Sequence, residues 1–163
     1  MLTSAGYLGD ASRCRELGIA AYLVKPIRQG ELLNAICAVL GGARQPALPL
    51  VTKHSIPEDR RRLRILLAED NAVNQTLDAV RLLEKRGYSV TVVANGRLAV
   101  EAVVKQEFDV VLMDIRMPEM DGFEATATIR AKEKLAGTRV PIIAMTANAL
   151  QGDEERRHGS LRL

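Results

Sequence analysis

The stretch FDVVLMDIRMPEMDGFEATATIR, residues 108–130, decides the fold. Val110–Met113 is an unbroken apolar run between two aspartates, and Asp109–Met113 is predicted as a strand. A strand with no polar face is buried on both sides, as in a parallel sheet covered by helices. Pro118 and Gly122 shape the loop beyond it, one through its fixed φ and the other through backbone freedom. Helical period then returns over Gly122–Leu135.

Outward from this unit the alternation repeats. Arg64–Ala68 reads as an apolar strand, and Asn71–Arg86 as a helix with Val73, Leu77, Val80 and Leu83 on one face, ended by Gly87. Ser89–Ala94 is a β-branched strand, Asn95-Gly96 opens a helix carrying Leu98, Ala99, Ala102 and Val103, and Val140–Met145 is another strand. Nearer the start lie a helical stretch at about 7–18 and the strand Ala20–Val24. A helix with Leu32, Leu33, Ile36, Val39 and Leu40 on one face follows, stopped by Gly41-Gly42. Residues 41–62 hold three of the six prolines, both charge signs and no sustained period, which marks a linker. Buried strands separated by helices, with right-handed crossovers, make a doubly wound α/β fold with a parallel sheet.

Composition narrows the function. The chain has 163 residues, 47% hydrophobic and 26% charged, a globular balance rather than a disordered one. No apolar run reaches membrane-spanning length, and the start lacks the order of a secretory signal. Cys14 and Cys37 have no metal-ligand spacing and read as reduced, half-buried thiols of a cytoplasmic protein. The net charge of +3 owes much to Arg60, Arg61, Arg62 and Arg64, a solvated basic linker rather than a nucleic-acid contact. His54 in the linker and His158 in the tail support no role, and Met113, Met117 and Met120 suit packing better than a hard cation.

In open α/β sheets, sites gather at the carboxyl ends of the strands. Glu69-Asp70 follow the Arg64–Ala68 strand, Asp114 the Asp109–Met113 strand and Thr146 the Val140–Met145 strand. A lone aspartate at a strand end is usually a helix cap. Three carboxylates converging on one edge are not explained as caps, because two unit charges ~4 Å apart repel by about 4 kcal/mol at an effective dielectric of 20. A cation must offset them, and hard oxygen ligands with room for water suit Mg²⁺.

With these residues in place, the sequence closely resembles the receiver domains of two-component signalling, in particular the C-terminal receivers of hybrid sensor histidine kinases. ILLAEDNAVNQ (65–75), VVANGRLAVEAV (92–103), FDVVLMDIRMPEMDGFEATATIR (108–130) and VPIIAMTANAL (140–150) match in order and spacing, covering nearly all of 63–157. The resemblance implies a five-stranded, flavodoxin-like receiver fold with Asp114 as phosphoacceptor. It implies Mg²⁺ ligands at Glu69, Asp70, Asp114 and the backbone carbonyl of Arg116, and Thr146 as the hydroxyl that moves onto the new phosphoryl group. The donor and partner are then a histidine kinase domain or a histidine phosphotransfer protein, with no nucleic acid and no membrane contact by this chain.

A receiver also needs a fifth strand, a Lys-Pro joint and a last helix, which the tail after GDEERR (152–157) does not supply. They stand at the front. MLTSAG (1–6) aligns with AMTANA (144–149), pairing Thr3 with Thr146 in an internal repeat of period 143. YLVKPI (22–27) resembles the fifth strand and joint, which makes Lys25 the phosphoryl-contacting lysine and Tyr22 the aromatic of the switch. The expectation is residues 1–40 from one receiver, a 41–62 linker, and a second receiver over 63–163 that stops within its fourth helix. The front piece completes the second unit as an effective circular permutant, exchanges between chains as a swapped dimer, or leaves an edge strand exposed; the first is favoured. Two fourth-helix segments, 7–18 and 147–158, then compete for one place.

Other readings fit less well. An aspartyl-nucleophile phosphatase would carry a second Asp where Arg116 stands, and a nucleotide-binding Rossmann domain needs a glycine-rich turn absent from AEDNAVNQ. A non-phosphorylated interaction module remains as the alternative. The chain itself is expected to be no enzyme but a phosphoacceptor with slow self-dephosphorylation, its parent a hybrid histidine kinase.

Overall fold

The computed structural model describes residues 12–41, 62–71 and 75–147. The body of the linker with His54, the opening residues with Thr3, and the 148–163 segment with His158 lie outside the described residues.

Five strands form one sheet: β1 (Ala21–Val24), β2 (Arg64–Ala68), β3 (Ser89–Val93), β4 (Val110–Asp114) and β5 (Ile142–Thr146). Their order is β1-β5-β4-β2-β3, and every pairing is parallel. The helices are α1 (Gln29–Leu40), α2 (Gln75–Lys85), α3 (Gly96–Lys105) and α4 (Gly122–Ala136), with a further helical turn at 12–16. This is the doubly wound parallel sheet that the alternation implies. The strands end within two residues of the expected bounds, β4 reaching one residue further to take in Asp114 itself.

Apolar patterning dictates the layering. The inner strands β4 and β5 are buried at all five positions, and β2 at four of five. Alternate residues feed opposite faces. Ile65, Leu67, Leu112 and Ile143 meet Leu32 and Ile36 of α1 and Leu83 of α2. Leu66, Ala68, Val111 and Met113 meet Ala99 of α3 and Ala125 and Ile129 of α4. The edge strands are wetter, and Val92 of β3 stays 48% exposed because no strand lies beyond it.

The front of the chain contributes a strand and a helix to this core. β1 pairs with β5 in the register Ala21↔Ile143 to Val24↔Thr146, and α1 buries Leu32 and Ile36 almost completely. Burial of side chains this size contributes about 1.5–3 kcal/mol each. Cys14, on the helical turn, packs with Ile115, Phe123 and Ala144, and Arg13 stacks 5.1 Å above the Phe123 ring. This turn belongs to the front one of the two fourth-helix segments, and residues 148–158 of the other lie outside the described residues.

Local signals end the elements. Gly87 adopts φ +83° after α2, where the amides of Gly87 and Tyr88 close onto the carbonyls of Glu84 and Leu83. Gly41 ends α1 at φ −76° instead, so its left-handed freedom is not used there. Asp121 is the cap that a lone aspartate usually is: it accepts from the amide of Glu124, whose carboxylate accepts in return from the Asp121 amide. Three side-chain expectations differ from the structure, the first being Leu77, expected on the apolar face of α2 but 45% exposed. Cys37 is exposed, because it lies one step around α1 from the buried Ile36. Leu98 is 41% exposed, since it overhangs the edge strand beside Val93 while Ala99 and Val100 take the buried places.

Candidate functional site

The carboxyl edge of the sheet gathers the predicted residues. Asp114 is the last residue of β4 and is only 4% exposed, and Glu69, directly after β2, is 6% exposed. Asp70 follows it in solvent. One oxygen from each of Glu69, Asp70 and Asp114 can be chosen so that all three lie within 4.8 Å of one another. Gly122 allows this crowding: a Cβ there would fall 2.2 Å from the Asp114 carbonyl oxygen, so α4 can begin directly against the end of β4.

Lys25 follows β1, two strands from Asp114. Strands lie about 4.8 Å apart, so only a long side chain spans the roughly 10 Å between them. It does so: Lys25 Nζ donates to Asp114 Oδ2 at 2.7 Å and to Glu69 Oε2 at 2.6 Å. The other oxygens are held by backbone. Asp114 Oδ1 accepts from the Arg116 amide at 3.1 Å, and Glu69 Oε1 from the Asn71 amide at 3.3 Å. Arg116 thus enters the site through its amide. Thr146 ends β5 between the two, buried, with its carbonyl accepting from the Lys25 amide at 2.8 Å. Tyr22 pairs with Ala144 and packs in the Cys14–Phe123 cluster. It lies two residues back along the strand from Val24, the register partner of Thr146, and so shares that sheet face.

Sequence reasoning placed Lys25 on Asp114 but not on Glu69, nor did it find the Asn71 and Arg116 amides, whose positions follow from the backbone after each strand. It also passed over Arg130 and Glu133. They form a buried ion pair at 2.6 Å at the opposite end of the strands. Only their i,i+3 spacing is visible in the sequence, and that usually marks an exposed pair.

The charges do not balance. Burial pushes the Glu69 carboxyl up; the Lys25 contact pulls it down and the Asp114 charge pushes it up again, leaving it raised. Burial alone would lower the Lys25 ammonium, but the contacts with Asp114 and Glu69 outweigh it and leave it raised. One lysine therefore faces three carboxylates, two of them buried. Hard oxygen donors with an excess of negative charge fit a small dication such as Mg²⁺. Glu69, Asp70 and Asp114 would hold it. Beside them, a cleft of about 800 Å³ lined by Lys25, Pro26, Glu69, Asp78 and Leu82 opens between α1 and α2.

Comparison with known proteins agrees with this geometry. Residues 65–157 match the response regulator receiver domain family. A hybrid signal transduction histidine kinase of Dictyostelium discoideum is 35% identical over 136 residues, covering 80% of this chain and 8% of that protein. Histidine kinase 2 of Arabidopsis thaliana is 33% identical over 178 residues, covering 95% of this chain and 15% of that protein. The chain thus spans less than a fifth of the length of these relatives. Among solved structures, the receiver domain of the Arabidopsis thaliana histidine kinase CKI1, complexed with Mg²⁺ and BeF₃⁻, is similar at 32% identity with a TM-score of 0.50. That match covers 58% of this chain and 72% of that one. With most of its length matching the family model, and with a parallel sheet that gathers Glu69, Asp114 and Lys25 at one edge, the chain belongs to the response regulator receiver domain family.

Proposed function

We propose that the chain works as the phosphoacceptor of a phosphorelay, taking a phosphoryl group from a phosphohistidine onto Asp114. The observation that carries this reading is the pair of contacts from Lys25 Nζ, 2.7 Å to Asp114 and 2.6 Å to Glu69. In the transfer, an Asp114 carboxylate oxygen attacks phosphorus. The P–N bond breaks as the P–O bond forms, and the imidazole nitrogen keeps the electron pair. An anionic nucleophile and an anionic donor repel, so catalysis is mainly positioning and charge compensation. The Arg116 amide orients Asp114 by holding Oδ1. Lys25, already placed between two carboxylates, turns its ammonium onto a phosphoryl oxygen as that charge arrives. Thr146, ending the strand between β1 and β4, is read as the hydroxyl that follows, and Tyr22, on the same sheet face, as the aromatic that responds. Glu69, Asp70, Asp114 and the Arg116 carbonyl would hold Mg²⁺, which would supply positive charge against the repulsion between nucleophile and donor.

The phosphohistidine donor belongs to a partner protein. That partner is read as a histidine kinase domain or a histidine phosphotransfer protein, and the parent as a hybrid histidine kinase. The chain itself is read as no enzyme beyond slow loss of its own acyl phosphate, without contacts to nucleic acid or membrane. Cys14 and Cys37 are thiols rather than disulfide partners, which supports a reducing, cytoplasmic setting. Among the described residues no helix is long and apolar enough to cross a membrane. Residues 20–40 are read as completing the 63–163 unit within the chain, supported by the β1–β5 pairing; exchange with a second copy would give a homodimer with the same contacts.

Incubation with Mg²⁺ and acetyl phosphate, followed by intact mass, tests the reading. A phosphoryl adduct on the wild type and none on Asp114→Asn is expected. No wild-type adduct, or one that survives in the variant, refutes it and leaves a receiver-like interaction module.

A further inference from the structure

The amino ends of the strands carry a second buried polar assembly, which the phosphoacceptor chemistry does not use. Arg130 and Glu133 on α4 are each 7% exposed. The guanidinium donates through Nε to the Leu17 carbonyl at 3.0 Å and through Nη2 to the Gly18 carbonyl at 3.1 Å. Its Nη1 donates to the Val140 carbonyl at 2.9 Å and to Glu133 Oε2 at 2.6 Å. Glu133 Oε1 accepts from the Val140 amide at 2.5 Å. Four of the five N–H donors of an arginine are therefore committed to fixed acceptors.

These acceptors lie just ahead of two neighbouring strands. The β1 ladder opens with the Ala20 amide on the Ile142 carbonyl, two residues after Gly18 and two after Val140. The amides of Leu17, Gly18 and Ile19 fold back onto the carbonyls of Arg13, Arg15 and Cys14, with Gly18 at φ +62°. The carbonyls of Leu17 and Gly18 are thereby left to Arg130. One rigid fork thus grips the starts of β1 and β5 together and sets their offset along the strand direction.

That offset decides where Lys25 arrives. A slip of one residue turns every β1 side chain to the other face, and a slip of two moves Lys25 by about 6.6 Å. Neither keeps the 2.7 Å contact with Asp114. We infer that Arg130 is a positioning residue, whose fork on Leu17, Gly18 and Val140 fixes the β1–β5 register and so delivers Lys25 to Asp114. For its effect on phosphoryl transfer the inference rests on the phosphoacceptor reading; for the placement of Lys25 it does not.

The test uses the full chain with Arg130→Lys, which keeps the positive charge beside Glu133 but cannot form the fork. Limited acetylation with an activated acetate ester, read lysine by lysine by mass spectrometry, reports how protected each amine is. Lys25 labelling is expected to rise about fivefold over wild type, with Lys85 and Lys105 unchanged. An unchanged Lys25, or a rise at all lysines together, overturns the inference. Arg130→Gln is read by the same criteria.

Acetyl phosphate labelling of Asp114 then closes a cycle. Arg130→Lys is expected to slow labelling about fivefold when Lys25 is present and not at all in a Lys25→Ala background. Equal slowing in both backgrounds marks general damage and overturns the positioning role. If wild type takes no phosphoryl group while the Lys25 footprint still responds, the phosphoacceptor reading fails and the positioning role stands.

Discussion

The two ends of the sheet hold buried charges arranged in opposite ways. At the amino end one arginine meets one glutamate, and the remaining partners of both are backbone groups already fixed by the fold. At the carboxyl end one lysine serves two buried carboxylates with a third in solvent nearby, leaving negative charge in excess. The first arrangement is nearly closed, with its charges matched and four of the five arginine donors already committed. The second is complete only when a cation or an incoming group supplies what the protein withholds. Closed polar assemblies hold a register, whereas open ones do chemistry.

Breaking the closed end should have the largest effect. Arg130→Met leaves the Glu133 carboxylate buried without its charge partner and is expected to cost about 3–5 kcal/mol of stability in chemical denaturation. A loss below about 1 kcal/mol would show that this end is not closed. Next comes Lys25→Ala, expected to slow phosphorylation of Asp114 by about a hundredfold, as loss of one preorganised charge donor does. Its stability should change far less than that of Arg130→Met, because Lys25 is already 27% exposed. A smaller effect of opposite sign is expected for Asp114→Asn. Removing one of the crowded carboxylates should stabilise the metal-free protein by about 1 kcal/mol, and a destabilised variant would contradict the charge excess.

The smallest effect concerns pH. The folded-state pKa of Glu69 is raised, so its stabilising contribution is fully present below the unfolded value of 4.5 and is lost as pH rises through the higher folded value. At neutral pH its ionisation therefore works against the fold. The Lys25 ammonium is also raised, and its contribution holds below the usual 10.5 and is lost only above it. The Glu69 carboxyl, followed by carbon NMR, should titrate above 4.5 without metal and shift downward when Mg²⁺ is added. A midpoint unmoved by Mg²⁺ would sink the assignment of Glu69 as a ligand.

Much of this was legible in the sequence, for a physical reason. Strands buried on both faces must be apolar throughout, so VVLM and ILLA announce themselves, and helices between them leave few topologies open. Asp114, Glu69 and Asp70 were legible as carboxylates at strand ends, and Lys25 through its likeness to a receiver's last strand. What sequence could not supply was how groups distant along the chain meet. Arg130 and Glu133 read as an ordinary surface pair until the turn at Leu17–Gly18 buries them. Leu98 read as part of an apolar helix face and Cys37 as half-buried until the edge strand and the angle around α1 leave them in water. The docking of the helical turn at 12–16 follows from the contacts of Cys14 with Ile115 and Phe123, which join distant parts of the chain.

The pairing of β1 with β5 also bears on how the molecule is made. Ala21 finds its partner, Ile143, more than a hundred residues later in the chain. A ribosome releases Leu23, Leu32 and Ile36 long before the strand that covers them exists, and closing so long a loop adds an entropic cost to every attempt at pairing. The segment that carries Lys25 is thus made well before the strand it pairs with, and this edge of the sheet is complete only once Ile142–Thr146 has followed.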